Sequence, residues 1–228
     1  MPIFIPAEEM PQGSPAWINA RLGIPTASSF DRIVTPKGAI SASRDGYLNT
    51  LLAERMSGRV LQGPTLALMQ RGKDMEAEAV AFYEFLTNAD TTPIGFVLSD
   101  DRRYGASPDR IISPTELLEI KVPSWATHVA YLRSQTGAGS EYYIQAQGQM
   151  LVADAAKVHI ISYCPDMPEK AMRALYTVKR DEAFIAKLKA ALVQFCDELD
   201  EETEKARQRG WITDAEQPEH EFGITMEE

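Results

Sequence analysis

The chain predicts an α/β or α+β fold in which a small mixed central sheet is flanked by helices, and three observations carry that expectation. Helical apolar spacing dominates the chain up to about Leu86. Short β-type runs separated by Asp/Arg and Ser-Pro turns then fill Thr92 to Val122, and helices alternate with strands from Ser124 onward. No internal repeat is visible. At 228 residues, 44% of them hydrophobic, the chain can bury one substantial core, so a single domain over residues 1–201 with an acidic tail over 202–228 is expected.

The elements follow in order. Ser14-Pro15-Ala16-Trp17 reads as an N-cap with proline at the first helical position, opening a short helix that stops at Gly23. Thr26-Ala27-Ser28-Ser29-Phe30 opens a second helix, and Thr35-Pro36-Lys37-Gly38 is a loop. Tyr47, Leu48, Leu51 and Leu52 mark a third helix, closed near Gly58. A long amphipathic helix from about Leu66 to Leu86 has Met69, Val80, Phe82, Tyr83 and Leu86 on its apolar face, with Glu76 inside it. Strands are expected at Ile94 to Leu98, Tyr104 to Ser107 and Glu116 to Val122. A helix from Ser124 to Arg133, a loop from Gln135 to Ser140 and a helix from Glu141 to Val152 come next. Strands at Lys157 to Tyr163 and Ala171 to Val178 precede a last long helix from Asp181 past Leu199.

The most informative spacing lies among the short strands. Asp109 follows Ser107-Pro108, and ten residues later Glu119 precedes Ile120-Lys121. A turn followed by a short strand places the two acids on neighbouring strands, with Lys121 on the same face as Glu119 because strand side chains alternate. Such oxygen ligands suit Mg²⁺ or Mn²⁺, and two ions about 4 Å apart activate water and stabilise a leaving oxygen in phosphodiester hydrolysis. Five residues of this kind also arise by chance in a charged chain, as a hairpin with solvated ends.

Composition narrows the alternatives. No run of apolar residues is long enough to span a membrane, and Met1 to Pro6 lacks the features of a signal peptide, so a cytoplasmic protein without membrane association is expected. Cys164 and Cys196 read as buried small hydrophobes, and His128, His159 and His220 show no zinc spacing. The net charge of −10 is concentrated at one end: Asp197 to Glu228 holds twelve acids and three bases, leaving 21 acids and 20 bases elsewhere. The balance therefore does not exclude DNA; it predicts that any DNA surface is a local groove or channel.

Several separated strings agree with one family in the same order. The chain resembles the phage lambda exonuclease, or YqaJ-type viral recombinase, branch of the PD-(D/E)xK nucleases from about Ser14 to Leu199. Trp17 to Ser28 resembles the N-terminal element that places an arginine and a serine, here Arg21 and Ser28, on a DNA 5′-phosphate. Arg71-Gly72-Lys73-Asp74-Met75-Glu76 resembles the helix that delivers a further acid, Glu76, to the metal site. Pro108-Asp109 and Glu119-Ile120-Lys121 match the core signature, and Tyr142 to Gln147 resembles the glutamine motif, with Gln145 in its functional place.

The resemblance implies a nuclease core in which Asp109, Glu119, the Ile120 carbonyl and Glu76 hold Mg²⁺, with Mn²⁺ also suited. Lys121 then positions water and stabilises charge, with an ammonium pKa lowered by burial if it is buried, while Gln145 holds water or phosphate. Trp17, Trp125 and Tyr131 are assigned to the core. The implied activity is 5′→3′ digestion of the 5′-ended strand from a duplex DNA end, leaving a 3′ overhang for phage-type recombination. A ring-shaped homotrimer, a single-strand annealing partner, and action in a bacterial host from a phage or prophage gene complete the expectation. A site- or structure-specific endonuclease of the same superfamily and a non-catalytic DNA-end scaffold stay open.

Overall fold

The computed structural model describes residues 1–60 and 66–212, with the side chains of residues 66–74 outside the description. Met69, Arg71, Lys73 and Asp74 of the expected long helix, and residues 213–228 of the expected tail, therefore lie outside the described residues. Helices α1 (Pro15–Ala20), α2 (Arg44–Ser57) and α3 (Leu66–Thr87) come first after strand β1 (Ile3–Pro6). Strands β2 (Thr92–Leu98), β3 (Gly105–Ala106), β4 (Arg110–Ser113) and β5 (Glu116–Lys121) follow. Then come α4 (Trp125–Leu132), α5 (Gly137–Glu141), α6 (Tyr143–Ala153), β6 (Lys157–Tyr163), β7 (Arg173–Lys179) and α7 (Glu182–Gln208).

The seven strands form one mixed sheet in the order β1-β2-β4-β5-β6-β7, with β3 pairing β2. Most neighbours are antiparallel, but β5 and β6 run parallel because α4, α5 and α6 carry the chain back between them. Glu119 pairs with Ile160 in that ladder. On the other side β4 and β5 form a hairpin in which Arg110 pairs with Leu118, so Asp109, one residue before β4, is brought opposite Glu119.

Strand alternation divides β5 between two cores. Leu117 joins the main core with Phe30, Met150, Ile160, Leu188 and Phe195, and Leu118 joins Tyr83 and Ile161 on the α3 face. Each fully buried side chain of this kind contributes about 1.5–3 kcal/mol. The same alternation sends Glu119 and Lys121 to the face of Leu117, where α6 packs. Helix α6 lies close against the 3-10 turn Ala27–Arg32, because an added Cβ at Gly148 would stand 2.5 Å from the Phe30 ring.

The fold class matches the expectation, while three local readings change. The stretch after Thr26 is a 3-10 turn, Ala27–Arg32, and not a regular helix, and the Thr26 side chain does not cap it. The expected loop Gln135 to Ser140 contains α5, held by packing of Gly139 on Tyr176 despite its two glycines. Strand β1 is an element beyond those expected; Pro6 sits at a register shift on the sheet's edge, where its missing N–H is tolerated. Helix α7 runs past Leu199 into the charged segment as expected, ending at Gln208.

Candidate active site

Asp109 and Glu119 meet across the open end of the β4–β5 hairpin. The Ile120 backbone N–H donates to Asp109 Oδ2 at 2.6 Å, locking the loop acid to the strand that carries the other. Gln12 reinforces the loop by donating through Nε2 to the carbonyls of Pro108 and Ile94. The protein packed around Asp109 pushes its carboxyl well above the usual carboxylate range, and the Glu119 charge adds to the rise; Lys121 and the Ile120 N–H oppose it. Glu76 on α3 is close enough for its charge to raise Asp109 further.

Glu119 is 5% exposed, and three donors hold it. Lys121 Nζ lies 2.7 Å from Oε1, Gln145 Nε2 lies 2.6 Å from the same oxygen, and Gln149 Nε2 lies 2.6 Å from Oε2. Lys121 also stands 4.3 Å from the ring centroid of Tyr142, which caps it by a cation–π contact. Burial alone would lower the Lys121 pKa, as expected from sequence. Glu119 and Asp109 more than offset burial, so the pKa is raised and the ammonium is reinforced.

This donor set fits a hard divalent cation. Two acids stand beside one another where water is scarce, and burial together with the Glu119 charge makes the ionised form of Asp109 costly. A cation relieves it. Among the described residues no three His, Cys, Asp or Glu side chains form a ready metal cage. The fit rests on Asp109 and Glu119, which leaves further positions to backbone, water or phosphate oxygens, as Mg²⁺ favours.

A second site lies at α1 and the turn after it. Arg21 Nη2 is 3.3 Å from Thr26 Oγ1 and 3.5 Å from Ser28 Oγ. Its guanidinium lies 4.2 Å over the Trp17 ring. No carboxylate among the described residues is within ion-pair distance of Arg21, and burial lowers its pKa, so a largely desolvated cation is left facing hydroxyls. That is the chemistry of an anion site. Trp17 Nε1 donates to Ser107 Oγ at 2.9 Å and to the Gly95 carbonyl at 3.1 Å, and so ties this site to the strand end that bears Asp109.

The structure thus brings together Asp109, Glu119, Lys121, Ile120 and Gln145, and separately Arg21 and Ser28; Glu76 reaches the first group through its field. Sequence reasoning missed Thr26, Gln12, Gln149 and the bridging role of Trp17. Gln149 had a usable signal, one helical turn after Gln145. Tyr131 is core and Trp125 is 57% exposed, with its Nε1 bonded to Asp166.

A strand hairpin that presents two acids and a lysine to a glutamine-bearing helix, on a mixed sheet flanked by helices, is the core of the PD-(D/E)xK nuclease fold. The family model for the YqaJ-like viral recombinase domain matches residues 16–156, and the chain belongs to that family. Among solved structures, the alkaline exonuclease LHK-Exo of Laribacter hongkongensis is 30% identical, with a TM-score of 0.76 over 86% of this chain and 98% of that one. Its complex with dAMP is 31% identical, with the same TM-score and coverage. A phage-related exonuclease from Haemophilus somnus 129PT shares the fold at 14% identity, with a TM-score of 0.63 over 78% of this chain and 96% of that one. No curated protein sequence matches the chain. Among the described residues no helix is long and apolar enough to cross a membrane.

Proposed function

We propose that the protein is a Mg²⁺-dependent 5′→3′ exonuclease of duplex DNA ends. It removes mononucleotides from the 5′-ended strand and leaves a 3′ overhang for single-strand annealing. The observation that carries this reading is the tie made by Trp17, which holds a desolvated arginine site and an acid–lysine site on one frame. A terminal phosphate bound at one end of that frame leaves the next phosphodiester for the other. Each cut then exposes a new 5′-phosphate for the same pocket.

In this reading Asp109, Glu119 and the Ile120 carbonyl hold Mg²⁺ or Mn²⁺, with Glu76 serving a second ion. The bound cations would polarise the scissile phosphate and lower the pKa of the attacking water. Lys121 stays an ammonium, so it donates to water and phosphate oxygens and stabilises the charge that develops there; it is not the base. Gln145 orients Glu119 and has a second amide N–H for water or phosphate. Arg21, Thr26 and Ser28 bind the 5′-terminal phosphate by charge-assisted hydrogen bonds. The dAMP complex of LHK-Exo supports a mononucleotide product. Family membership supports a ring-shaped homotrimer around DNA, an annealing protein as partner, and action in the cytoplasm of a bacterial host from a phage or prophage gene.

The test is digestion of a linear duplex labelled at each strand end, with and without a 5′-phosphate, in Mg²⁺ and in EDTA, beside closed circular plasmid. Mg²⁺-dependent release of mononucleotides from the 5′-phosphorylated strand is expected. Plasmid cleavage would move the assignment to an endonuclease, and binding without cleavage would move it to a scaffold.

A further inference from the structure

The Glu119 carboxylate accepts more than its neighbours on β5 require. A carboxylate has about four lone-pair positions. Three are taken: Lys121 and Gln145 share Oε1, and Gln149 holds Oε2. Among the described residues one position is left, on Oε2. Gln145 and Gln149 are one turn apart on α6 and so present both amides to the same carboxylate. Gln149 is 1% exposed, and among the described residues its Oε1 has no hydrogen-bond partner, so Glu119 is the contact that accounts for a buried carboxamide here.

Resting on the metal-site reading above, we infer that Gln149 is a positioning residue that fixes Glu119 Oε2 as the metal-binding oxygen. By saturating Oε1, Lys121 and Gln145 leave that oxygen as the open one; by holding Oε2 on one side, Gln149 stops the carboxylate from rotating and sets the direction of its last lone pair. Glu119 then binds a cation through one oxygen. Without Gln149 the carboxylate can turn about its terminal bond, and the buried pocket loses the donor that stabilises its charge. Outer partners of metal ligands typically alter metal affinity or activity by about 10- to 100-fold.

The test compares wild type, Gln149→Met and Glu119→Ala. Met matches the length and volume of Gln and donates nothing. Direct Mn²⁺ binding is followed by electron paramagnetic resonance of the free ion, and exonuclease rates are measured over a range of Mg²⁺. Gln149→Met is expected to weaken Mn²⁺ binding by about 10- to 100-fold. It should shift the Mg²⁺ needed for half-maximal rate by a similar factor, while KM for DNA stays near that of wild type. Unchanged Mn²⁺ affinity in Gln149→Met, alongside loss of binding in Glu119→Ala, overturns this inference and leaves the nuclease reading intact. Absence of Mn²⁺ binding and cleavage in wild type defeats the nuclease reading itself. If Gln149→Met does not fold, the Gln149 side-chain amide resonances of wild type decide: a shift on adding Mg²⁺ is expected, and none overturns the inference.

Discussion

On α7, Asp197, Glu198 and Asp200 face Arg44, Arg55 and Arg103 within ion-pair distance, whereas among the described residues Lys121 pairs with Glu119 and acts on Asp109 through its charge. The first group is matched acid for base. Arg44 Nη1 reaches Glu198 at 2.6 Å, Arg55 Nη1 reaches Asp200 at 2.7 Å, and Arg103 Nη2 lies between Asp197 and Asp200. In the second group burial first, and then the Glu119 charge, hold the Asp109 proton more tightly, against the opposing pull of Lys121. Both regions are rich in acids, so composition does not separate them. What separates them is how far the fold pairs each acid with a base.

That contrast is broken or sharpened most severely at the hairpin. Asp109→Asn should reduce DNA hydrolysis by at least about 100-fold, the scale of one lost electrostatic contact in a reaction centre. Its melting temperature in EDTA should equal or exceed that of wild type, because the substitution removes a charge that Glu119 repels. A lower melting temperature would show that Asp109 is structurally paired, like the α7 acids, and would end the contrast.

Next in size is the anion site. Arg21→Ala should erase the preference for a 5′-phosphorylated over a 5′-hydroxyl end, by roughly ten- to a hundredfold, since a hydrogen bond to a charged group is worth about 1.5–3 kcal/mol. Paired single-turnover rates on the two substrates measure it. Loss of rate on both ends alike would show that Arg21 supports the fold and does not recognise phosphate.

On the matched side the effect should be on stability alone. Arg44→Met should lower unfolding free energy in urea by about 1–2 kcal/mol, a value discounted for solvent screening because the Glu198 side chain is 38% exposed. Turnover should not change.

The smallest effect is on acid stability. The hydrogen bond from Arg44 holds the Glu198 carboxyl below its usual range. The unfolded chain then takes up the proton first, so the pair's contribution is present above the ordinary glutamate value of about 4.3. It is lost as pH falls through the folded value. The stability gap between wild type and Glu198→Gln should therefore narrow on acidification, as thermal melts from neutral to acid pH would show. A gap that widens would reverse the sign assigned to this pair.

The parts of the site that follow from local periodicity were legible in the sequence. Glu119 and Lys121 share a face because they are two apart on a strand, and a hairpin explains Asp109. Arg21, Ser28 and Gln145 were legible through the motifs that surround them. Trp17 was not, because its partners Gly95 and Ser107 are 78 and 90 positions away and an aromatic residue on a short helix reads equally well as core. Strand β1 pairs with β2 more than ninety positions on, as Ile3 with Leu98. What stayed hidden depends on long-range pairing, which no local pattern encodes.

The hydrogen bonds of the Trp17 indole give the protein a built-in unit of length. The face of the ring supports the guanidinium of Arg21 and its Nε1 is pinned to Gly95 and Ser107, so the gap between anion pocket and acid pair cannot stretch without breaking the two hydrogen bonds from that nitrogen or the stacking on the ring. In the proposed reaction the strand advances while this gauge stands still. The size of each released fragment is then set by the indole, and Trp17→Phe, which keeps the ring but drops the N–H, should blur single nucleotides into a mixture that mass spectrometry of the products resolves.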